Sequence, residues 1–320
     1  MNNISHSHRI EEIDFLKCVF ILLMIAFHLS YIEHLYPYAK NIVFTFHMPA
    51  FLFISGYLFN INKKWNVFLR SIKWIFIPYA IMEGGYVIMA SFLPIQDHID
   101  HISFLIVLNK VFLHPLGPYW YLHTLMLCGL LYYGVFKVLH LEKLSSLIIF
   151  GLCLYFCSYY LHIVSFYSAC YFFAGVVVRQ SGLTFLQVVR PSALSILPVI
   201  LMAAYPQNLS RSTIAGAIMV YLVMSICLFC FKYIKGKMRE GTLFIGRNTL
   251  IIFLFSPIFT LLAKQFLPFL AFDHSGMLFL FLSLAFTLAG CFLVAYGMDW
   301  LNISRFFFGK ARVVLGKNPE

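Results

Sequence analysis

Apolar residues along this chain fall into long blocks, with the polar residues gathered between them. The blocks predict membrane-spanning helices at 15–35, 41–60, 74–94, 119–138, 146–163, 166–178, 192–206, 212–231, 243–263 and 276–297. A straight span needs about 20 residues, so 166–178 and 192–206 are the short ones, and 102–116 reads as an interfacial or re-entrant helix. The first block follows Glu11, Glu12 and Asp14, lacks a small-residue cleavage site and contains a histidine, so it is read as a retained helix and not a signal peptide. Ten spans place both termini on one side.

Composition agrees with the pattern. Hydrophobic residues make up 62% of the 320 and charged residues 11%, against about 25% charged in soluble domains. The expected fold is therefore an all-α polytopic membrane protein, about ten helices around an intramembrane polar cavity. Residues 1–320 form one domain, with cytoplasmic ends at 1–14 and 298–320.

The net charge of +11 would suit a nucleic-acid partner, but its distribution points to topology instead. With the N-terminus inside, nineteen Lys and Arg residues fall on the inner side, among them Lys63, Lys64, Lys232, Lys235, Lys237 and Lys317. Only Lys40, Lys110, Arg211 and Lys264 fall outside, the bias expected of short loops in a membrane protein. No nucleic-acid partner is expected. The eight cysteines lie in or beside apolar blocks without metal-ligand spacing, so neither a structural disulfide nor a metal site is expected. Asp97, His98, Asp100, His101 and His114 then lie in an external loop, and nothing in their spacing puts them on one face for a metal.

Ionisable side chains within spans need a cavity or a partner, which makes them functional candidates. His28 lies inside span one, and Lys17 is eleven residues earlier. That interval is nearly three whole turns, so both leave one helix face, roughly 16 Å apart along the axis. Glu11, Glu12 and Asp14 crowd the same inner entrance. His47 sits about seven residues into span two, matching the depth of His28 in a hairpin. Imidazole titrates near neutral pH and is the natural general base there; an interhelical hydrogen bond is the plainer role for either ring. In FTFHMPAFLFISGYLF, Pro49 and Gly56 suit a helix bent or closely packed around a cavity. Ser55 can satisfy itself on the carbonyl four residues back and has no triad-like partners. Glu83 is a bare carboxylate in an apolar run that calls for a basic or hydroxyl partner. In GPYWYLHTL the ring cluster reads as an interface anchor, and Trp120 and His123 join Asp14 and Glu83 as substrate-pocket candidates. Arg247 is either a topology signal or a contact for an anionic ligand at the inner face.

The stretches IDFLK…FHLS, FHMPAFLFISGYL, FLRSIKWIFIPY, GPYWYL, YFFAG and GRNTLIIFLFSP resemble, in order and spacing, the integral-membrane acyltransferase-3 family. The resemblance covers essentially the whole chain, and the second and fourth stretches are its specific parts. It implies a bacterial cytoplasmic-membrane enzyme that moves an acetyl or other short acyl group from cytoplasmic acyl-CoA to a hydroxyl. The acceptor would be an extracytoplasmic carbohydrate or a lipid-linked glycan. It assigns His28 as the essential histidine and puts Lys17 where the family most often has arginine. Lysine keeps the charge but loses the bidentate fork. Arg70 and Lys73 become further contacts for the CoA phosphates. Where the late motif often ends in a histidine before the proline, this chain has Ser256. The extracytoplasmic hydrolase-like domain of some members has no counterpart here, so the membrane domain or a partner is expected to serve the acceptor. His28 is then a general base or a transient acyl carrier, with His47 positioning it or sharing its proton. A transporter of a sugar or acyl compound would also need intramembrane His, Glu and Lys. It should show repeated halves, whereas the polar groups here crowd into the first three spans. A non-catalytic scaffold is a further rival, one that would tolerate loss of His28.

Overall fold

A computed structural model describes residues 9–92, 98–270 and 272–314. Its helices are α1 (Glu11–His28), α2 (Ser30–Leu35), α3 (Pro37–Leu58), α4 (Trp65–Phe92), α5 (Phe104–Phe112), α6 (Trp120–Tyr133), α7 (Lys143–Tyr159) and α8 (Phe166–Ser181). They continue as α9 (Phe185–Val188), α10 (Ile196–Ala203), α11 (Ile214–Phe231), α12 (Gly236–Arg247), α13 (Thr249–Ala263), α14 (Leu267–Leu270), α15 (Met277–Trp300) and α16 (Ser304–Phe307). The described residues contain no strand. Asp97 and Lys317, both used in the sequence reading, lie outside the described residues.

Among the described residues, six stretches are long and apolar enough to cross a membrane: Pro37–Leu58, Trp65–Phe92, Phe104–Val138, Ile214–Phe231, Thr249–Leu270 and Met277–Trp300. The third is interrupted at residues 113–116. Large apolar side chains stand on the outside of the bundle, with Leu293 75%, Phe281 66% and Leu197 65% exposed. Water would not tolerate such a surface over this extent, whereas lipid would. The protein is an all-α, multi-span membrane protein.

Two expected spans are each broken in two. The block 15–35 divides at Leu29, whose extended backbone (φ −76°, ψ 105°) ends α1 at His28. The block 243–263 divides at Asn248 (φ −108°, ψ 20°), so that Arg247 closes α12 before α13 begins. Local polar chemistry sets other ends: Pro37 stands at the start of α3, where a missing N–H costs nothing, and Thr213 Oγ1 accepts from Gly216 N at 3.0 Å to cap α11.

The helices close around a central core that includes Phe20 and Met24 of α1, Phe51 of α3, Met219 of α11 and Ile252 of α13. α3 packs most extensively on α8, and α1 on α12, each pair at a glycine. A Cβ at Gly175 would stand 2.0 Å from the Phe53 carbonyl oxygen, and one at Gly56 would stand 2.1 Å from that of Phe172. A Cβ at Gly246 would stand 1.8 Å from the carbonyl oxygen of Asp14. Small residues let membrane helices approach to backbone contact, and here they lock α3, carrying His47, and α12, carrying Arg247, into place.

Candidate functional site

α1 and α3 each present one imidazole to the same space. His28 Nδ1 lies 2.7 Å from the Met24 carbonyl oxygen, and His47 Nδ1 lies 2.8 Å from that of Val43. A carbonyl oxygen only accepts, so both Nδ1 atoms donate and carry the ring proton. Each ring is thereby left with its lone pair on Nε2. His47 Nε2 is buried and has no hydrogen-bond partner among the described residues. Phe44 touches both rings, with centroid separations of 5.7 Å to His28 and 5.1 Å to His47.

Both histidines line a cavity of about 1000 Å³, together with Asn41, Thr45, Trp120, Ser256, Arg211 and Lys264. Arg211 precedes α11 and Lys264 follows α13, at the ends that the charge pattern assigns to the outer side. A second cavity of about 290 Å³ is lined by Lys17, Ser55, Tyr121 and Thr249. Met48 and Phe253 line both cavities, so the two adjoin there. Ser55 Oγ donates to the Phe51 carbonyl oxygen at 2.7 Å, the local bond its sequence position predicts. Its one proton is thus committed, and the Tyr121 hydroxyl, 2.7 Å away, donates to it.

Beside Lys17 lies an ion cluster. Asp14 is buried, and its carboxylate takes Arg9 Nε at 2.7 Å, Lys17 Nζ at 2.7 Å and Arg247 Nε at 3.6 Å. Three cations therefore share one carboxylate, and Arg247 Nε, although buried, has no hydrogen-bond partner among the described residues. Arg239 of α12 ties the same end down through Glu11 at 2.8 Å. A phosphate oxygen would satisfy both the surplus charge and the free donor.

Thus His28, His47 and Trp120 meet at the larger cavity, and Lys17, Asp14 and Arg247 meet at the ion cluster. Other expected site residues stand apart. Arg70 and Lys73 are exposed on α4 and line neither cavity; the Lys73 ammonium lies 5.2 Å from the Trp74 ring centroid. Glu83 is fully buried. Its Oε1 accepts from Leu116 N–H at 2.5 Å, in place of the basic or hydroxyl partner expected, and its Oε2 is unpartnered. His123 Nε2 donates to the Phe112 carbonyl oxygen at 2.9 Å, and the ring lines neither cavity. Among the described residues, no cluster of His, Cys, Asp and Glu is arranged to hold a metal ion, and all eight cysteines are free thiols.

The model of the acyltransferase domain Acyl_transf_3 matches residues 10–296. The chain belongs to this acyltransferase family. No curated protein and no solved structure matches it. It is accordingly an enzyme, a membrane acyltransferase.

The acyltransferase's recognisable stretches now have physical roles. FHLS and FHMPAF carry the two histidines and Met48, while GPYWYL supplies Trp120 to one cavity and Tyr121 to the other. GRNTLIIFLFSP runs from Arg247 in the ion cluster through Phe253 between the cavities to Ser256 in the larger one. YFFAG supplies Gly175, whose bare Cα admits α3. The sequence reading missed Arg211 and Lys264 as site residues. The available signal was that they are two of only four basic residues that the charge pattern assigns to the outer side.

Proposed function

We propose that this acyltransferase moves an acetyl or other short acyl group from cytoplasmic acyl-CoA to a carbohydrate hydroxyl presented in the larger cavity. It would sit in the bacterial cytoplasmic membrane with ten spans and both termini inside. The observation that carries the reading is the pairing of two adjoining cavities of different character. One holds two imidazoles with free Nε2 lone pairs, and the other begins at Lys17 beside the cation cluster.

In this reading Arg9, Lys17 and Arg247 compensate the donor phosphates, and Arg247 Nε finds the acceptor it lacks. Arg70 and Lys73 can meet the donor only on the exposed inner face of α4. His28 Nε2 takes the proton of the acceptor hydroxyl as its oxygen attacks the thioester carbonyl carbon. A C–O bond forms, the C–S bond breaks, and His28 returns the proton to the departing thiolate. The Met24 carbonyl holds the ring in the required tautomer and stabilises the imidazolium while it carries two protons. His47, tied to Val43 in the same way, positions the acceptor or accepts its hydroxyl proton.

The test is transfer of label from [¹⁴C]acetyl-CoA to acceptor in native membranes. His28→Ala should lower the rate by roughly 10²–10⁴-fold, the usual worth of a positioned base, with the amount of inserted protein unchanged. A properly inserted His28→Ala enzyme of full activity would refute the assignment.

A further inference from the structure

The proposed reaction leaves the chemistry of the acceptor open, and the larger cavity addresses it. Cations around the ends of α1 are paired with acids: Lys40 with Glu33, Arg239 with Glu11, and Arg9, Lys17 and Arg247 with Asp14. Arg211 and Lys264 differ. Both line the larger cavity, and among the described residues neither forms an ion pair and no Asp or Glu lines that cavity. The Arg211 side chain is nonetheless placed. Its guanidinium carbon lies 5.6 Å from the centroid of Trp120, another lining residue. Its backbone carbonyl accepts from the Tyr171 hydroxyl at 2.9 Å. An arginine held against an aromatic face still offers the N–H edges of its fork to an oxyanion.

We infer that the acceptor is an anionic glycan, whose carboxylate or phosphate oxyanion is bound by Arg211 and Lys264 so that a nearby hydroxyl faces His28. The inference rests on the proposed acyl transfer and names the class of its acceptor. Two cations that no described acid pairs with, in a cavity that no described Asp or Glu lines, favour an anion over a neutral sugar. They also reject a cationic one. The oxyanion could belong to the glycan itself or to the diphosphate of a lipid carrier, and the chemistry of recognition is the same.

The experiment uses native membranes, which contain the natural acceptor, and [¹⁴C]acetyl-CoA. Labelled product is passed over an anion exchanger before and after mild acid, which cleaves a carrier diphosphate and spares carboxylates and backbone phosphodiesters. Retention in both conditions supports an anion in the glycan, and retention only before acid supports the carrier diphosphate. Label in the unretained fraction before acid overturns the inference while leaving acyl transfer standing. No label from the wild-type enzyme, or undiminished label with His28→Ala, overturns the transfer reading and this inference with it. Arg211→Gln and Lys264→Gln should each lower the rate at limiting acceptor by about tenfold or more, the worth of a charge-assisted hydrogen bond. The KM for acetyl-CoA should be unchanged, and Arg211→Lys should restore part of the loss. Full activity in the double Gln variant would also overturn the inference.

Discussion

Replacing Asp14 by Asn removes the one carboxylate that, among the described residues, pairs with Arg9, Lys17 and Arg247. The Asp14 side chain is 3% exposed, Lys17 17%, Arg247 10% and Arg9 43%. These values decide which pairs matter. Arg9 can turn to water when its partner is lost, so its 2.7 Å contact contributes little, as exposed pairs do. Lys17 and Arg247 have no such escape and would remain as uncompensated cations in a poorly solvated site. Breaking a buried pair in this way costs about 3–5 kcal/mol. For a protein of this size that corresponds to a fall in melting temperature on the order of 10 °C. The assay is thermal unfolding of the intact protein in detergent micelles, followed by loss of the monodisperse peak. Lys17→Gln in the Asp14→Asn background removes one stranded cation and should recover part of the loss, a coupling that a double-mutant cycle isolates. An Asp14→Asn protein that melts at the wild-type temperature would refute the reasoning, because the cluster would then be solvated and its charges independent.

Gly175→Ala puts a methyl group 2.0 Å from the Phe53 carbonyl oxygen, so α3 and α8 must separate. Stability should fall by about 1–3 kcal/mol, and activity should fall with it because α3 carries His47; melting temperature and label transfer read the two effects. Tyr121→Phe deletes the donor to Ser55 Oγ and should cost only about 1 kcal/mol, measured by the same melt. Asp273 lies outside the spans and caps the start of α15, accepting from Ser275 Oγ at 2.6 Å and Leu278 N at 2.8 Å. These bonds, the Ser275 hydroxyl foremost, hold its carboxyl below the usual range. Its contribution is therefore complete above the unfolded carboxylate value, about pH 4, and is lost as pH falls through the lower folded value. Wild type should out-melt Asp273→Asn at pH 6, and the gap should close below about pH 4; a gap independent of pH would refute the cap.

Much of the fold was legible because lipid imposes a simple rule on sequence. Any span must be apolar over its length, which marks Pro37–Leu58, Ile214–Phe231 and Met277–Trp300 within a few residues of the blocks 41–60, 212–231 and 276–297. The breaks at Leu29 and Asn248 were not legible. Leucine is a helix former, and Leu29 is buried in one cluster with Ala263 and Phe279, neighbours that no local pattern reveals. The histidine pair could be placed from depth alone, since hairpin geometry fixes depth. Its shared contact with Phe44 could not, because that depends on rotation about both helix axes. Arg211 and Lys264 were hidden for another reason. A basic residue in a short loop serves as a topology signal wherever it points, and only the folded chain shows which loops overhang the cavity. Asp14 joined Arg247 across more than two hundred residues of sequence through Gly246, whose missing side chain lets α12 touch α1.

The adjoining walls at Met48 and Phe253 have a consequence for the cell as well as for the reaction. An aqueous route from Lys17 to His28 would be a route for protons, and a transferase abundant in an energised membrane would then drain the gradient that supports growth. A thioether and a phenyl ring offer no hydrogen bond to a water file and strongly disfavour a bare ion between them. A thioester and a short acyl chain are neutral and soft, and meet no such penalty. In the proposed transfer this divider would sort traffic by polarity, passing a neutral acyl chain and opposing a bare ion.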